Sequence, residues 1–121
     1  MQENTGSQNV ETTHVPVAKR IAFRMQLYKG LEEEYRRRHS AIWPDLEVLL
    51  RSAGISDYSI FFDETTNNLI GVMTVKDTIP LHELPANPVM KKWWAYMKDI
   101  MDTNEDDSPV SIPLKEIFYL P

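Results

Sequence analysis

The 121-residue chain lacks several features that would point to particular kinds of chemistry. It has no cysteine, which excludes disulfides, thiolate metal sites and a cysteine nucleophile and favours a reducing compartment such as the cytoplasm. Its four glycines are scattered, so no phosphate-binding glycine loop is present. No apolar run approaches the roughly 18 residues of a spanning helix, so we expect no membrane partner.

Positive charge is also scarce. Lys and Arg number 13 against 18 Asp and Glu, which gives a formal net charge of −5. Because nucleic-acid-binding domains carry a basic patch, we expect no nucleic-acid partner. Hydrophobic residues, in contrast, make up 42% of the chain, which fits one globular domain. The chemistry left open is acid–base catalysis on a small molecule, or binding alone.

Hydrophobic periodicity divides the chain into a tail and one domain. Residues 1–18 show no apolar period and predict a flexible polar tail, whereas residues 19–121 show the periods of strands and helices. The predicted elements are strands at 20–27, 57–63, 69–76 and 114–120, helical segments at 31–40, 44–52 and 89–101, and a loop at 77–88.

The order of these elements is that of the ferredoxin-like βαββαβ arrangement, in which Pro44 divides the first helical stretch and Gly54 ends it. It predicts an α+β fold with a four-stranded antiparallel sheet and its helices on one face. Bulky residues such as Phe61 fall on the opposite face of the strands. A second copy of the sheet would cover that open face.

One candidate site lies in the first helical segment, where Tyr35 and His39 are four residues apart and share one face. A histidine can give or take a proton near neutral pH, and a tyrosine can hold a hydroxyl group. The alternative is a core histidine bonded to a backbone carbonyl. The intervening run, Arg36 to Arg38, is interpreted as a solvated face paired with the preceding glutamates.

A second candidate is the aromatic cluster Trp93, Trp94 and Tyr96. Indole rings pack against the C–H face of a sugar, and the indole N–H can donate to a hydroxyl. The alternative is that both tryptophans are core residues. A third candidate is the bulky turn at 42–45, which contains Trp43 and forms either a cavity wall or a filled kink.

These clusters resemble a known family. The runs E-Y-R-R-R-H at 34–39 and I-W-P-D-L at 42–46 closely resemble the E-Y-x-R-R-H-x-x-I-W-P-E-L signature of the L-rhamnose mutarotases. The resemblance continues in D-Y-S-I at 57–60 and W-W-A-Y-M at 93–97, and it spans about residues 19–121. It departs at Ala41, where a proline is common, and at Asp45, which replaces a glutamate; the first change bears on the bend after His39.

The resemblance implies a dimeric α/β barrel of two ferredoxin-like protomers. It also implies an isomerase that interconverts the α and β anomers of L-rhamnose without a cofactor or metal, by general acid/base ring opening and reclosure. His39 matches the family's proton-donating residue, and its sugar-contacting residues are matched by Tyr35, Tyr58, Trp93 and Trp94. The general base stays open, with either tyrosine acting through a water as a candidate.

Two other classes of function remain open on the same barrel. In a haem-dependent or cofactor-free oxidoreductase, His39 would be an iron ligand in the haem case. In a non-catalytic sugar-binding module, Trp93 and Trp94 would hold a sugar that is not turned over. Fold alone does not separate these classes from an isomerase.

Overall fold

Residues 18–76 and 81–121 are described by a computed structural model of the protein. The predicted tail lies outside the described residues except for Ala18, which already belongs to a strand, and so do residues 77–80 of the predicted loop. The elements in chain order are β1 (Ala18–Gln26), α1 (Glu32–Ser40), α2 (Pro44–Ser52), β2 (Ile55–Asp63), β3 (Asn68–Lys76), a 3-10 turn (Leu81–Ala86), α3 (Pro88–Met97) and β4 (Ile112–Leu114).

The four strands form one sheet in the order β2-β3-β1-β4, and all neighbours are antiparallel. This confirms the predicted α+β fold with a four-stranded antiparallel sheet. Side chains alternate along each strand, so the sheet has two chemically different faces. The inner face, towards the helices, carries the pair Met25 and Leu69, whereas the outer face carries the pair Ala22 and Val72.

The predicted break in the first helical stretch is confirmed. Helix α1 ends at Ser40 and α2 begins at Pro44, whose missing N–H is harmless in a first turn. Helix α2 ends at Ser52, and Gly54, two residues later, has φ +88°, a conformation that a Cβ would strain. The longest of the described helices has 10 residues, and none is long and apolar enough to cross a membrane.

The core lies between the inner face of the sheet and the helices. Leu27, Leu46 and Leu69 are its largest fully buried side chains, and each contributes about 1.5–3 kcal/mol by leaving water. Tyr35 and Trp93 belong to the same buried cluster. The side chains on which the candidate site depends are therefore held by the main core.

No element of the described chain covers the outer face of the sheet. Phe61 on β2 lies opposite Ile70 on β3, and 60% of the Phe61 surface is accessible. Further along the same row, Ile112 on β4 is exposed as well. Arg24 lies between Ile70 and Ile112 in this row, so the outer face is a partly apolar surface that a single chain leaves open.

Two predicted boundaries are wrong. The last strand is Ile112–Leu114 rather than 114–120, because residues beyond Leu114 form no ladder, and Ile117 to Leu120 are exposed despite their contiguous apolar pattern. Helix α3 ends at Met97 rather than at 101. Ile100 and Met101 are buried for another reason: Met101 bridges to Leu27, and the Ile100 carbonyl accepts from Tyr28.

Candidate active site

A cavity of about 980 Å³ lies between the inner face of the sheet and helices α1 to α3. Its volume falls within the range of small-molecule sites, and most of its wall is apolar. All five candidate site residues line it: Tyr35, His39, Tyr58, Trp93 and Trp94. Elements far apart in the sequence thus bring these side chains into one concave surface.

Helix α1 supplies Tyr35 and His39, whose rings stack with centroids 4.3 Å apart and planes 27° apart. His39 Nδ1 lies 3.1 Å from the backbone oxygen of Tyr35. A carbonyl oxygen can only accept, so Nδ1 must carry the proton of this hydrogen bond. The bond fixes the tautomer of His39 and leaves Nε2 as the nitrogen available to a bound molecule.

The surroundings of His39 favour its neutral form. The imidazole meets the Trp93 ring edge-on, with centroids 5.4 Å apart and planes 90° apart. Burial lowers the pKa of His39 below its usual 6.5, opposed by the hydrogen bond to Tyr35. At neutral pH most molecules therefore carry an uncharged imidazole, and the protonated form is a stronger acid than free imidazolium.

The two tyrosines of the cavity stay protonated. Burial raises the pKa of Tyr35 far above its usual 10, and the neighbouring Tyr58 raises it further. Although 39% of Tyr58 is accessible, that surface faces the cavity, and the surrounding protein raises the pKa of Tyr58 to about 12. Both phenols are therefore neutral hydrogen-bonding groups and not bases near pH 7.

A β-bulge directs Tyr58 into the cavity. Ser56 pairs with Thr74 and Ser59 pairs with Val72, so β2 holds one more residue than β3 between these pairs. Asp57, with φ +49°, takes up the extra residue. The bulge shifts the alternation, so that Tyr58 points to the inner face, as Ile55 does before it.

Helix α3 supplies the two tryptophans. It begins with Pro88, and the Asn87 side chain caps it by accepting from the Val89 N–H at 2.9 Å. Trp93 is buried, whereas Trp94 is half-buried and lines the cavity beside it. Trp93 therefore belongs both to the core and to the cavity wall, whereas Trp94 leaves more of its ring accessible.

The turn at 42–45 divides between the two alternatives considered for it. Ile42 lines the cavity, whereas Trp43 is not among the residues of its wall. Trp43 packs edge-on against Trp93, with ring centroids 5.0 Å apart, and lies 5.5 Å from the Tyr96 ring. Trp43 thus supports the back of Trp93.

The interpretation of the arginine run as a solvated face is wrong for Arg38. Only 9% of its side chain is accessible, and its guanidinium donates to Glu34 at 2.7 Å and to both carboxylate oxygens of Asp99. It also donates to the Tyr96 carbonyl at 2.7 Å and lies over the Tyr96 ring. Arg38 therefore ties α1 to the carboxyl end of α3, beside the catalytic candidates.

The sequence interpretation missed the apolar wall of the cavity. Met73 and Met90 line it together with Ile60 and Phe62. Ile60 and Phe62 could have been found, because they share the period-two face of Tyr58. The methionines have no such signal, since their cavity position depends on strand pairing and helix packing. Within residues 18–76 and 81–121, no group of three or more His, Asp or Glu side chains could hold a metal ion.

The fold and the cavity define a class of protein: a small α+β protein with a site suited to an uncharged polar ligand. Aromatic rings, neutral phenols and one imidazole provide flat apolar surface together with hydrogen bonds, as sugar rings require. Two arginines also line the cavity, and each pairs with a glutamate of its own helix: Arg36 with Glu32 and Arg51 with Glu47.

Comparisons with known proteins define the family. The sequence model of the L-rhamnose mutarotase family matches residues 20–120. An L-rhamnose mutarotase of Brucella anthropi is 57% identical over 102 residues, covering 84% of this chain and 96% of that protein. One from Sinorhizobium fredii is 55% identical over 101 residues, covering 84% and 97%.

A solved structure agrees with these sequences. The crystal structure of an L-rhamnose mutarotase from Formosa agariphila superposes with a TM-score of 0.79 at 48% identity, covering 85% of this chain and 99% of that one. The chain belongs to the L-rhamnose mutarotase family.

Proposed function

We propose that His39 carries the proton transfer by which this isomerase interconverts the α and β anomers of L-rhamnose. The activity, that of an L-rhamnose mutarotase, agrees with the family model and with the named relatives. The observation that carries the role of His39 is its hydrogen bond to the Tyr35 carbonyl, which leaves Nε2 for the substrate in an aromatic-walled cavity.

The reaction requires two balanced proton movements. On opening, the ring oxygen O5 gains a proton as the C1–O5 electron pair moves to it, and the O1 hydroxyl loses its proton as C1=O1 forms. The aldehyde end then rotates about C1–C2. On reclosure, O5 attacks the other face of the carbonyl, loses its proton, and O1 regains one. No electrons are exchanged with another molecule.

In this proposal, the protonated Nε2 of His39 donates to O5 on opening and takes the proton back on reclosure. The bond from Nδ1 to the Tyr35 carbonyl is compatible with both steps, because Nδ1 keeps its proton throughout. The lowered pKa of His39 makes imidazolium more acidic but less abundant at pH 7. A general acid of this kind contributes about 10²–10⁴-fold in rate.

The other candidates hold the sugar. Tyr35 and Tyr58 donate and accept hydrogen bonds with sugar hydroxyls, and a water takes the O1 proton because neither phenol ionises near pH 7. Trp93 and Trp94 pack on the apolar face of the sugar ring. The apolar wall formed by Met73 and Met90 accepts the C5 methyl group.

The proposed assembly is a homodimer of ferredoxin-like protomers whose sheets face each other as an α/β barrel. Its support is the open, partly apolar outer face of the sheet, together with the exposed apolar residues at 117–120. The protein acts in the cytoplasm, in agreement with the absence of cysteine. The small-molecule partner in this proposal is the sugar substrate.

Family membership favours the isomerase over the two alternative classes. An oxidoreductase with haem on His39 predicts an absorbance band on haem titration. A non-catalytic sugar-binding module predicts rhamnose binding without faster anomer exchange.

The test is saturation-transfer NMR on an equilibrated L-rhamnose solution, with the exchange rate measured with and without protein from pH 5 to 8. We expect faster exchange with protein, and a kcat/KM that falls as pH rises through a pKa below 6.5, because the acidic form of His39 is lost. Exchange no faster than in buffer would refute the activity. A kcat/KM that rises over the same window would instead make His39 the base at O1.

A further inference from the structure

Phe23 lies behind Tyr58 on the inner face of the sheet. It is absent from the residues that line the cavity, yet its ring meets the Tyr58 ring edge-on, with centroids 6.1 Å apart and planes 62° apart. Phe23 belongs to β1 and Tyr58 to β2, and β3 runs between them. Because adjacent strands lie about 4.8 Å apart, the two side chains together span about 9.6 Å of sheet, and their contact crosses β3.

Gly71 makes the crossing possible. It pairs with Phe23 on one side and with Ile60 on the other, and the Phe23 ring lies over it. A Cβ placed on Gly71 would be 2.4 Å from Cζ of that ring and 2.6 Å from Cε2. Any residue with a side chain at position 71 would therefore push the ring off β3 and away from Tyr58.

Tyr58 needs such support because its own backbone is locally irregular. It follows Asp57, the extra residue of the bulge, where the regular ladder between β2 and β3 is interrupted. The exposed part of its side chain faces the cavity, so only the protein side can fix the ring orientation. The Phe23 ring lies on that side.

We infer that Phe23 is a positioning residue, which holds the Tyr58 hydroxyl in register with the sugar and which depends on the bare backbone of Gly71. The inference rests on the proposed function, because it assigns Tyr58 a hydroxyl of the substrate. Phe23 acts only through Tyr58 and does not touch the substrate. Its loss therefore weakens sugar binding and leaves proton transfer by His39 intact.

The test compares Phe23→Leu and Tyr58→Phe in the NMR exchange assay with L-rhamnose. Leucine keeps an apolar side chain but is too short to lie over Gly71. We expect Phe23→Leu to raise KM about two- to tenfold, the range of one neutral hydrogen bond, with kcat changed less than twofold. Phe23→Met serves as a second variant if the leucine protein does not fold.

Two double variants show whether the effect passes through the named residues. In the Tyr58→Phe background, Phe23→Leu should raise KM no further, because the hydroxyl that Phe23 positions is gone. Gly71→Ala should raise KM in the wild-type background and much less beside Phe23→Leu. Multiplicative effects in either pair would overturn the inference, as would an unchanged KM in Phe23→Leu.

The control is Ile100→Val, which truncates a buried core residue that does not line the cavity. It should lower stability without changing KM. A raised KM in this control would assign the Phe23 effect to general loosening and overturn the inference. Wild-type protein that fails to accelerate exchange refutes the proposed function itself. If the wild type is active but the effects of the paired substitutions on KM multiply, only the role of Phe23 is refuted.

Discussion

The exposed and inner sides of helix α1 carry neighbouring residues of one short sequence but have different surroundings. On the exposed side, Arg36 and Arg37 pair with glutamates one turn earlier, and 60% and 63% of their side chains are accessible, although Arg36 also borders the cavity. On the inner side, Tyr35 and His39 stack against each other in the cavity. Arg38 lies at the border and is buried. Three adjacent arginines thus occupy two different environments.

The difference teaches that position on the helix, rather than residue type, decides what a charged side chain does. Hydrogen bonds from Arg37 and then Arg38 lower the pKa of Glu34 to about 2. The two bonds differ in surroundings, because water competes for the exposed Arg37 but not for the enclosed Arg38. Two ion pairs of similar geometry therefore contribute unequally to the free energy of unfolding.

The largest effect should come from the inner face. His39→Asn removes the titrating nitrogen while keeping a side chain able to hydrogen-bond, so we expect kcat to fall about 10²–10⁴-fold. The NMR exchange assay measures it. The control is His82→Asn, since His82 is exposed and lies outside the cavity wall, and it should keep full activity. A fully active His39→Asn enzyme would refute the role assigned to this residue.

The border position should show the next effect, on stability. Arg38→Met keeps the stem of the side chain but removes its bonds to Glu34, Asp99 and the Tyr96 carbonyl. We expect the free energy of unfolding to fall by about 2–3 kcal/mol, a value for bonds with charged groups. Urea unfolding measures it, with Arg37→Met as the matched exposed control, which should lose less than about 1 kcal/mol. Equal losses would contradict the comparison.

A smaller effect should appear in the pH dependence of stability. Burial lowers the pKa of His39 in the folded protein, so the unfolded chain takes up this proton first as pH falls below about 6.5. Wild type should therefore lose stability relative to His39→Asn between pH 6.5 and the folded pKa, and the difference should be flat above 6.5. Urea unfolding of both proteins across pH 5 to 8 tests the sign.

The smallest effect should come from the exposed side of the helix. A double-mutant cycle on Arg36 and Glu32, whose side chains lie 2.9 Å apart, should give a coupling of about 0.3–0.5 kcal/mol. At 1 M salt, where the screening length is about 3 Å, the coupling should vanish. A coupling as large as that of Arg38 would erase the distinction between the two faces.

Much of this arrangement could be predicted from local patterns. The helix break at Pro44, the stop at Gly54 and the antiparallel sheet follow from backbone chemistry and periodicity, which act over a few residues. The burial of Arg38 could not be predicted, because its partners Asp99 and Tyr96 lie about sixty residues away. The crossing of Phe23 over Gly71 depends in the same way on the register between two strands.

The C-terminal error has a different cause. The apolar run from Ile117 to Leu120 has the composition of a buried strand, but composition does not specify what covers it. In a single chain these residues are exposed after β4 ends at Leu114. An apolar run indicates that a segment favours burial, but it does not identify the surface against which the segment packs.

The extra residue at Asp57 changes which positions of β2 face the cavity. Before it the odd-numbered Ile55 points to the inner face, and after it the even-numbered Tyr58, Ile60 and Phe62 do. Deleting Asp57 would place Tyr58 directly after Ser56 and opposite Met73, so the ladder would become regular and the later side chains would keep their face. Position 57 is thus the place where β2 can lose one residue without exchanging the two faces of the strand.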